Sequence, residues 1–184
     1  VSVKLDSPQF DWHGPAYFDS NAGDAPLENS FQSWQWSRVK LPPGPDSTPM
    51  NAADTAVLYD IRRQDGSTLL LARKYAPHAV GQLSGRQLDP LAHQHLIYLP
   101  RSNWGLSRTM HVVGQSTASS APVRVTTLEH GPFYARSMVS IPHGSHTALA
   151  IHESLSLDRF RSAWVQAMLP FRMPRRAALP PSRN

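Results

Sequence analysis

The sequence has no cysteine and no long apolar run, and each absence excludes a class of protein. Without cysteine among its 184 residues, the chain cannot form a disulfide scaffold, a cysteine-based zinc site or a thiol nucleophile. No apolar run is longer than about five residues, far below the roughly 18 of a membrane-spanning helix. The length fits one domain with a hydrophobic core of its own.

Motifs for several common chemistries are also absent. The ten glycines form neither of the phosphate-binding patterns G-x-G-x-x-G and G-x-x-x-x-G-K, and there is no G-x-S-x-G elbow. Phosphoryl transfer, nicotinamide chemistry and acyl transfer are therefore disfavoured. His93 and His95 lie two residues apart, but no third ligand stands at a useful spacing, so the sequence predicts no metal site.

The charge is spread unevenly along the chain. Its 18 Lys+Arg and 13 Asp+Glu give a formal net charge of +5, and residues 159–184 hold six Arg and no acid. This basic segment is mixed with apolar residues, which is unlike a nucleic-acid motif, so we expect no nucleic-acid partner. It suits an anionic membrane surface, or a helix that simply packs on the rest of the domain.

Prolines and aromatic residues favour an all-β domain of short strands. The chain holds 17 prolines, five Trp, five Tyr and six Phe, and short alternating runs are separated by turn residues. The strongest hairpin signal is Asp65-Gly66 between two β-rich runs. Alternation predicts strands at residues 1–5, 31–41, 55–63, 68–75, 96–99, 105–113, 123–128, 133–141 and 147–154.

One helix is predicted near the end of the chain. Ser156 is a suitable N-cap, and Phe160, Trp164 and Met168 follow as an apolar stripe until Pro170 ends the helix. Residues 174–184 are rich in Pro and Arg, and we expect a flexible tail there.

About eight or nine antiparallel strands with a C-terminal helix predict an up-and-down barrel, which at eight strands is just wide enough for one small ligand. An immunoglobulin-type sandwich is the alternative, but its Cys–Trp–Cys core is absent.

The densest group of chemically useful side chains lies between residues 12 and 38. Tyr17 and Asp19 are two residues apart, so an extended chain puts them on one face, and the same holds for Trp34 and Trp36. An Asp beside aromatic bulk can have its pKa raised, as a general acid requires. The structural alternative is that the aromatic residues form core and Asp19 caps a turn. His152, on a late strand, fits an interior hydrogen-bonding residue, a ligand or an acid–base group.

A resemblance to a known family enters with these residues. The stretch from Gly14 to Glu28, followed by Phe31, Trp34, Trp36 and Arg38, resembles the carotenoid 1,2-hydratase family, also called hydroxyneurosporene synthases, of the lipocalin-like superfamily. Residues 55–60, 128–137, 152–160 and 171–175 resemble later parts of that family. His130 departs from it, because we expect an acid there.

The resemblance implies a larger protein. Family members look like two lipocalin-like halves, and this chain resembles the C-terminal half as a single lipocalin-like domain over residues 1–184. The start at Val1 rather than Met leads us to expect a segment cut from a longer protein. We expect the N-terminal half to be its partner, to carry a further His and Trp of the site, and to be needed for activity.

The resemblance also implies a reaction. From the resemblance we expect hydration of the terminal C1–C2 double bond of acyclic carotenoids without a cofactor, in the cytoplasm, with peripheral contact to the inner membrane as an open alternative. We expect Asp19 to supply the proton with Tyr17 beside it, and Trp34, Trp36, Tyr134 and His152 to contact the substrate. Two alternatives remain open: a lipocalin-like cyclase for another hydrophobic polyene, and a non-catalytic lipid-binding module.

Overall fold

The described part of the protein consists mostly of antiparallel strands, as the sequence predicts. The computed structural model describes residues 2–14, 20, 22–41, 55–75, 85–87, 94–113, 123–143 and 146–171. The strands are β1 (Ser2–Asp6), β2 (Gln9–His13), β3 (Phe31–Lys40), β4 (Thr55–Arg63), β5 (Thr68–Tyr75), β6 (Gly85–Gln87), β7 (Gln94–Leu99), β8 (Arg108–Val113), β9 (Arg124–His130), β10 (Tyr134–His143) and β11 (His146–Ser156). Three short helices accompany them: α1 (Leu27–Ser30), α2 (Leu157–Phe160) and α3 (Ala163–Met168).

Seven of the strands form one sheet, in the order β6-β5-β4-β3-β11-β10-β9. Strands β3 to β6 follow one another as neighbours, as do β9 to β11, and the last strand returns to pair with β3. This pairing of a late strand with an early one is what an up-and-down barrel requires. Within the described residues no ladder joins β6 to β9, so closure of the barrel stays a prediction.

The Asp-Gly hairpin forms where the sequence places it. Strands β4 and β5 pair in register from Thr55 opposite Tyr75 to Arg62 opposite Thr68. Gly66 adopts a φ of +83°, which side-chain-bearing residues rarely reach, and the Asp65 carboxylate accepts a hydrogen bond of 2.8 Å from the Ser67 N–H. Turn chemistry therefore fixes the register of this pair.

The hydrophobic core lies on one side of the seven-stranded sheet, and we call that side the core face. Small and branched apolar residues from β3, β4, β5, β10 and β11 cover it, and the separate β7–β8 hairpin packs over them. The buried residues of this cluster are Val39, Ala56, Leu58, Ala72, Val139, Ile141, Ala148 and Ala150 from the sheet, with Leu99, Met110 and Val112 from the hairpin.

The predicted first strand pairs with β2 as a separate two-stranded sheet. Two local expectations near the end of the chain need correction. The predicted C-terminal helix is two helices, since the chain turns at residues 161–162 between α2 and α3. This turn rotates α3, so its buried residue is Val165 rather than the predicted Trp164, which is 48% exposed.

Ser156 nevertheless caps α2 as expected, accepting a hydrogen bond of 3.4 Å from the Arg159 N–H. The Arg159 guanidinium donates to the carbonyls of Trp104 at 2.6 Å and Gly105 at 3.2 Å, which ties α2 to the loop before β8. None of the helices among the described residues is long and apolar enough to cross a membrane.

Candidate functional site

The register of the sheet determines which predicted site residues share a face. Residues directly opposite each other in an antiparallel pair point to the same side. Trp36 lies opposite Tyr59 and Glu153, whereas its neighbour Ser37 lies opposite Leu58 and His152. The sheet therefore separates His152, on the core face, from Trp36 on the opposite side.

Trp34, Trp36 and Tyr134 share that opposite side, which we call the aromatic face. Trp34 lies opposite Leu155, and Leu155 lies opposite Tyr134. The rings of Trp36 and Tyr59 meet edge to face with centroids 6.3 Å apart. The structure thus brings together three of the predicted substrate contacts and leaves the fourth, His152, apart from them.

An ion pair stands beside Tyr134 on the aromatic face. The Arg136 Nε lies 3.2 Å from the Glu153 Oε1. Burial raises the pKa of the Tyr134 hydroxyl above its ordinary value, and the charge of Glu153 raises it further. Tyr134 is therefore a protonated phenol at any physiological pH, able to donate a hydrogen bond but poor as an acid.

The core face carries a buried polar group around Arg108, at the start of β8. The Arg108 side chain is only 5% exposed. Its Nε donates to the Pro100 carbonyl at 2.6 Å, and one terminal nitrogen, Nη1, donates to both Thr127 and Ser137 hydroxyls at 2.9 Å. The other, Nη2, donates to the Arg101 carbonyl at 3.2 Å. In the part of the chain that the structure describes, no carboxylate pairs with this buried cation.

His152 lies next to this group and is 1% exposed. Its Nε2 is 2.8 Å from the Thr109 carbonyl oxygen. A carbonyl can only accept, so Nε2 carries the proton and Nδ1 presents a bare lone pair. Burial lowers the pKa of His152 to about 4, and the charge of Arg108 adds to this effect. The imidazole is therefore neutral at physiological pH.

Further polar contacts hold β8 onto the sheet. Ser154 donates to the Gln35 Oε1 at 2.8 Å, and the Thr109 N–H reaches the same oxygen at 3.4 Å. Near the middle of the strand, the His111 Nε2 lies 3.4 Å from the Asp60 Oδ2. These contacts join β8 to β3, β4 and β11, and so fix the position of Arg108 against His152.

Asp19 and Tyr17, the predicted acid and its neighbour, lie outside the described residues. Arg108 was missed by sequence reasoning, although the alternation of Arg108, Met110 and Val112 places an arginine on the apolar side of its strand. That signal was available, but its meaning depended on which side of β8 is buried. Among the described residues no three His, Asp or Glu side chains are grouped to hold a metal ion.

Comparison with known proteins identifies the same family that the sequence resembles. The family model for carotenoid hydratase CrtC matches residues 1–180. An acyclic carotenoid 1,2-hydratase of Thiocapsa roseopersicina is 40% identical over 176 residues, which is 95% of this chain and 38% of the relative. One of Rubrivivax gelatinosus is 36% identical over 179 residues, which is 96% of this chain and 39% of the relative.

A third relative, an acyclic carotenoid 1,2-hydratase of Cereibacter sphaeroides, is 33% identical over 165 residues, which is 90% of this chain and 52% of the relative. The chain thus spans between about two fifths and half of the length of these relatives. No solved structure is significantly similar to it. Because the family model covers nearly the whole sequence, the chain belongs to the carotenoid hydratase CrtC family.

Proposed function

We propose that this chain takes part in hydrating the C1–C2 double bond of acyclic carotenoids of the lycopene and neurosporene type. The observation that carries the proposal is family membership over residues 1–180, together with relatives named acyclic carotenoid 1,2-hydratase. The relatives extend well beyond the matched part, so we propose that a second lipocalin-like unit, corresponding to their remaining length, completes the site.

The reaction adds water without a change of oxidation state. A proton is added to C2, which leaves a tertiary cation at C1, and a water oxygen then forms the new C–O bond and releases a proton. Overall one alkene and one water give one tertiary alcohol, so the reaction needs no electron acceptor. The protein must supply an acid, shelter a cation and hold one water.

We propose Asp19 as that acid and Tyr17 as its hydrogen-bonding neighbour, as the family resemblance implies. Trp34, Trp36 and Tyr134 are proposed to contact the polyene, since the strand pairing places all three on one side of the sheet. His152 lies on the other side of the sheet, so it and the aromatic residues cannot contact the same carbon atom. We propose that His152 contacts a different part of the polyene.

The test uses the protein at its full natural length, incubated with lycopene in lipid vesicles and followed by mass analysis of the products. We expect the wild type to form an alcohol heavier by one water. Asp19→Asn should lower the rate by at least about a hundredfold, because a general acid contributes on that scale. Asp24→Asn, at an exposed carboxylate five residues on, is the matched control and should keep the rate.

Full activity in Asp19→Asn would remove the acid assignment. Binding of lycopene without conversion by the wild type would point to the lipid-binding module, and a cyclised product would point to the cyclase.

We further propose that the protein works in the cytoplasm while resting on the inner membrane, where its apolar substrate dissolves. The end of the chain supports this proposal. Trp164 is 48%, Leu169 45% and Phe171 71% exposed, and the Trp164 ring stacks on Trp104 with centroids 6.2 Å apart. Exposed apolar side chains near an exposed arginine, Arg161, match the composition of interfacial membrane contacts.

A further inference from the structure

We propose that the Nδ1 atom of His152 holds the water that adds to C1 of the substrate. This inference rests on the proposed hydratase function and deepens it by naming the residue on the water side of the reaction.

The first argument is the bare lone pair on Nδ1. The Nε2–H is committed to the Thr109 carbonyl, which leaves Nδ1 as an acceptor. This atom is fully buried and has no hydrogen-bond partner among the described residues. Buried polar atoms in proteins are nearly always bonded, so a small donor such as a water or an alcohol hydroxyl belongs against Nδ1.

The second argument is the arginine beside it. A guanidinium has five N–H groups, and the contacts of Arg108 use its Nε–H, both hydrogens on Nη1 and one on Nη2. Among the described residues, no acceptor is shown for the fifth N–H. A water that accepts from Arg108 and donates to His152 keeps one lone pair and one hydrogen for the substrate, which is the arrangement an attacking water needs.

The third argument is electrostatic. Arg108 is a buried cation whose described partners are hydroxyls and carbonyls rather than a carboxylate, so a neutral ligand beside it is favoured over a cationic one. A water molecule is such a neutral ligand.

The proton balance is consistent with this role. When the water oxygen bonds to C1 it becomes a protonated alcohol, a much stronger acid than an imidazolium even when burial has lowered the pKa of His152. Nδ1 accepts that proton and the neutral tertiary alcohol forms. The resulting imidazolium beside Arg108 is unfavourable, which favours passing the proton on to solvent and back to the acid.

The experiment separates protonation from water addition by running the reaction in D₂O. Protonation places deuterium at C2. The cation then either adds water, giving deuterated alcohol, or loses hydrogen from C2, giving deuterated alkene. Mass analysis of both products gives a ratio that does not depend on how much of the enzyme is folded.

Two substitutions divide the functions of the histidine. His152→Gln keeps a donor near the Nε2 position for Thr109 but removes the Nδ1 acceptor, whereas His152→Asn puts an amide oxygen near the Nδ1 position. We expect His152→Gln to lower the ratio of alcohol to deuterated alkene by about a hundredfold, as misplacing a reacting group does, and His152→Asn to recover part of the loss. Leu149→Ala, at an exposed residue of the same strand, should leave the ratio unchanged.

Each outcome has one meaning. If His152→Gln lowers deuterated alcohol and deuterated alkene equally, or if His152→Asn loses as much alcohol as His152→Gln, the histidine is structural and the inference is wrong. If the wild type forms neither deuterated product, the proposed function itself fails.

Discussion

At the scale of single residues, the core face combines a buried cation with a neutral imidazole. Burial of a charge costs stability, and Arg108 offsets this cost with four hydrogen bonds to hydroxyls and carbonyls of the described residues. His152 avoids the same cost by staying neutral. Keeping such a group in an apolar core costs stability. Buried ionisable groups with shifted pKa values cluster at functional sites, and the pair of Arg108 and His152 fits that description.

The neutral histidine predicts how stability depends on pH. The pKa of His152 is about 4 in the folded protein, against 6.5 when unfolded. Between these values the unfolded chain binds the proton more readily, so the free energy of unfolding should fall by roughly 3 kcal/mol as the pH drops from 6.5 to 4. Among the described residues, Arg108 is the charged group that acts on His152; the nearby Ser37, Ser137 and Ser154 do not titrate.

Urea unfolding at a series of pH values measures this dependence. His152→Gln, which cannot titrate, should show a flatter profile over the same interval, whatever its stability at pH 7. Identical slopes for the wild type and His152→Gln would contradict the assignment.

At the scale of secondary-structure elements, turn residues fix the strand pairs that surround the site. The β4–β5 hairpin aligns Leu58 with Ala72 on the core face and Tyr59 with Leu71 on the aromatic face. Slippage by one residue would exchange the two faces. Gly66, with its φ of +83°, is the residue on which this turn depends.

Substitutions at Gly66 test that dependence. A Cβ at this position meets no atom within 4 Å, so the cost of Gly66→Ala is backbone strain alone, about 1 kcal/mol in the free energy of unfolding. Gly66→Asn should cost less, because asparagine tolerates this conformation better. Chemical denaturation of the three proteins gives the order, and an alanine variant as stable as the wild type would show that the turn is not under this constraint.

At the scale of the whole molecule, the seven-stranded sheet presents two chemically different sides. Its core face holds the β7–β8 hairpin and the polar group around Arg108, and its aromatic face holds Trp34, Trp36 and Tyr134. The short helices lie at the end of β11, where Trp164 and Phe171 are exposed. This end is therefore the place to look for membrane contact.

The double substitution Trp164→Ser and Phe171→Ser should weaken binding to anionic vesicles at least about tenfold. The reason is that two aromatic side chains that would insert into the membrane surface are removed. Co-sedimentation with vesicles measures the change. Leu149→Ser is the matched control: it removes a 55% exposed apolar side chain about 23 Å along β11 from Ser156. Equal weakening by the control would indicate a non-specific apolar surface instead.

The sequence by itself determined the all-β class, the Asp-Gly hairpin, the Ser156 cap and the family, because turn chemistry, alternation and motif order are local or linear properties. It did not predict the break of the C-terminal helix at residues 161–162, since the pattern of apolar residues continues across the turn. The tertiary structure alone placed His152 and Trp36 on opposite sides of the sheet and buried Arg108 beside the histidine. Alternation tells which residues of a strand share a side, but which side is covered depends on pairing and packing between residues far apart in the chain.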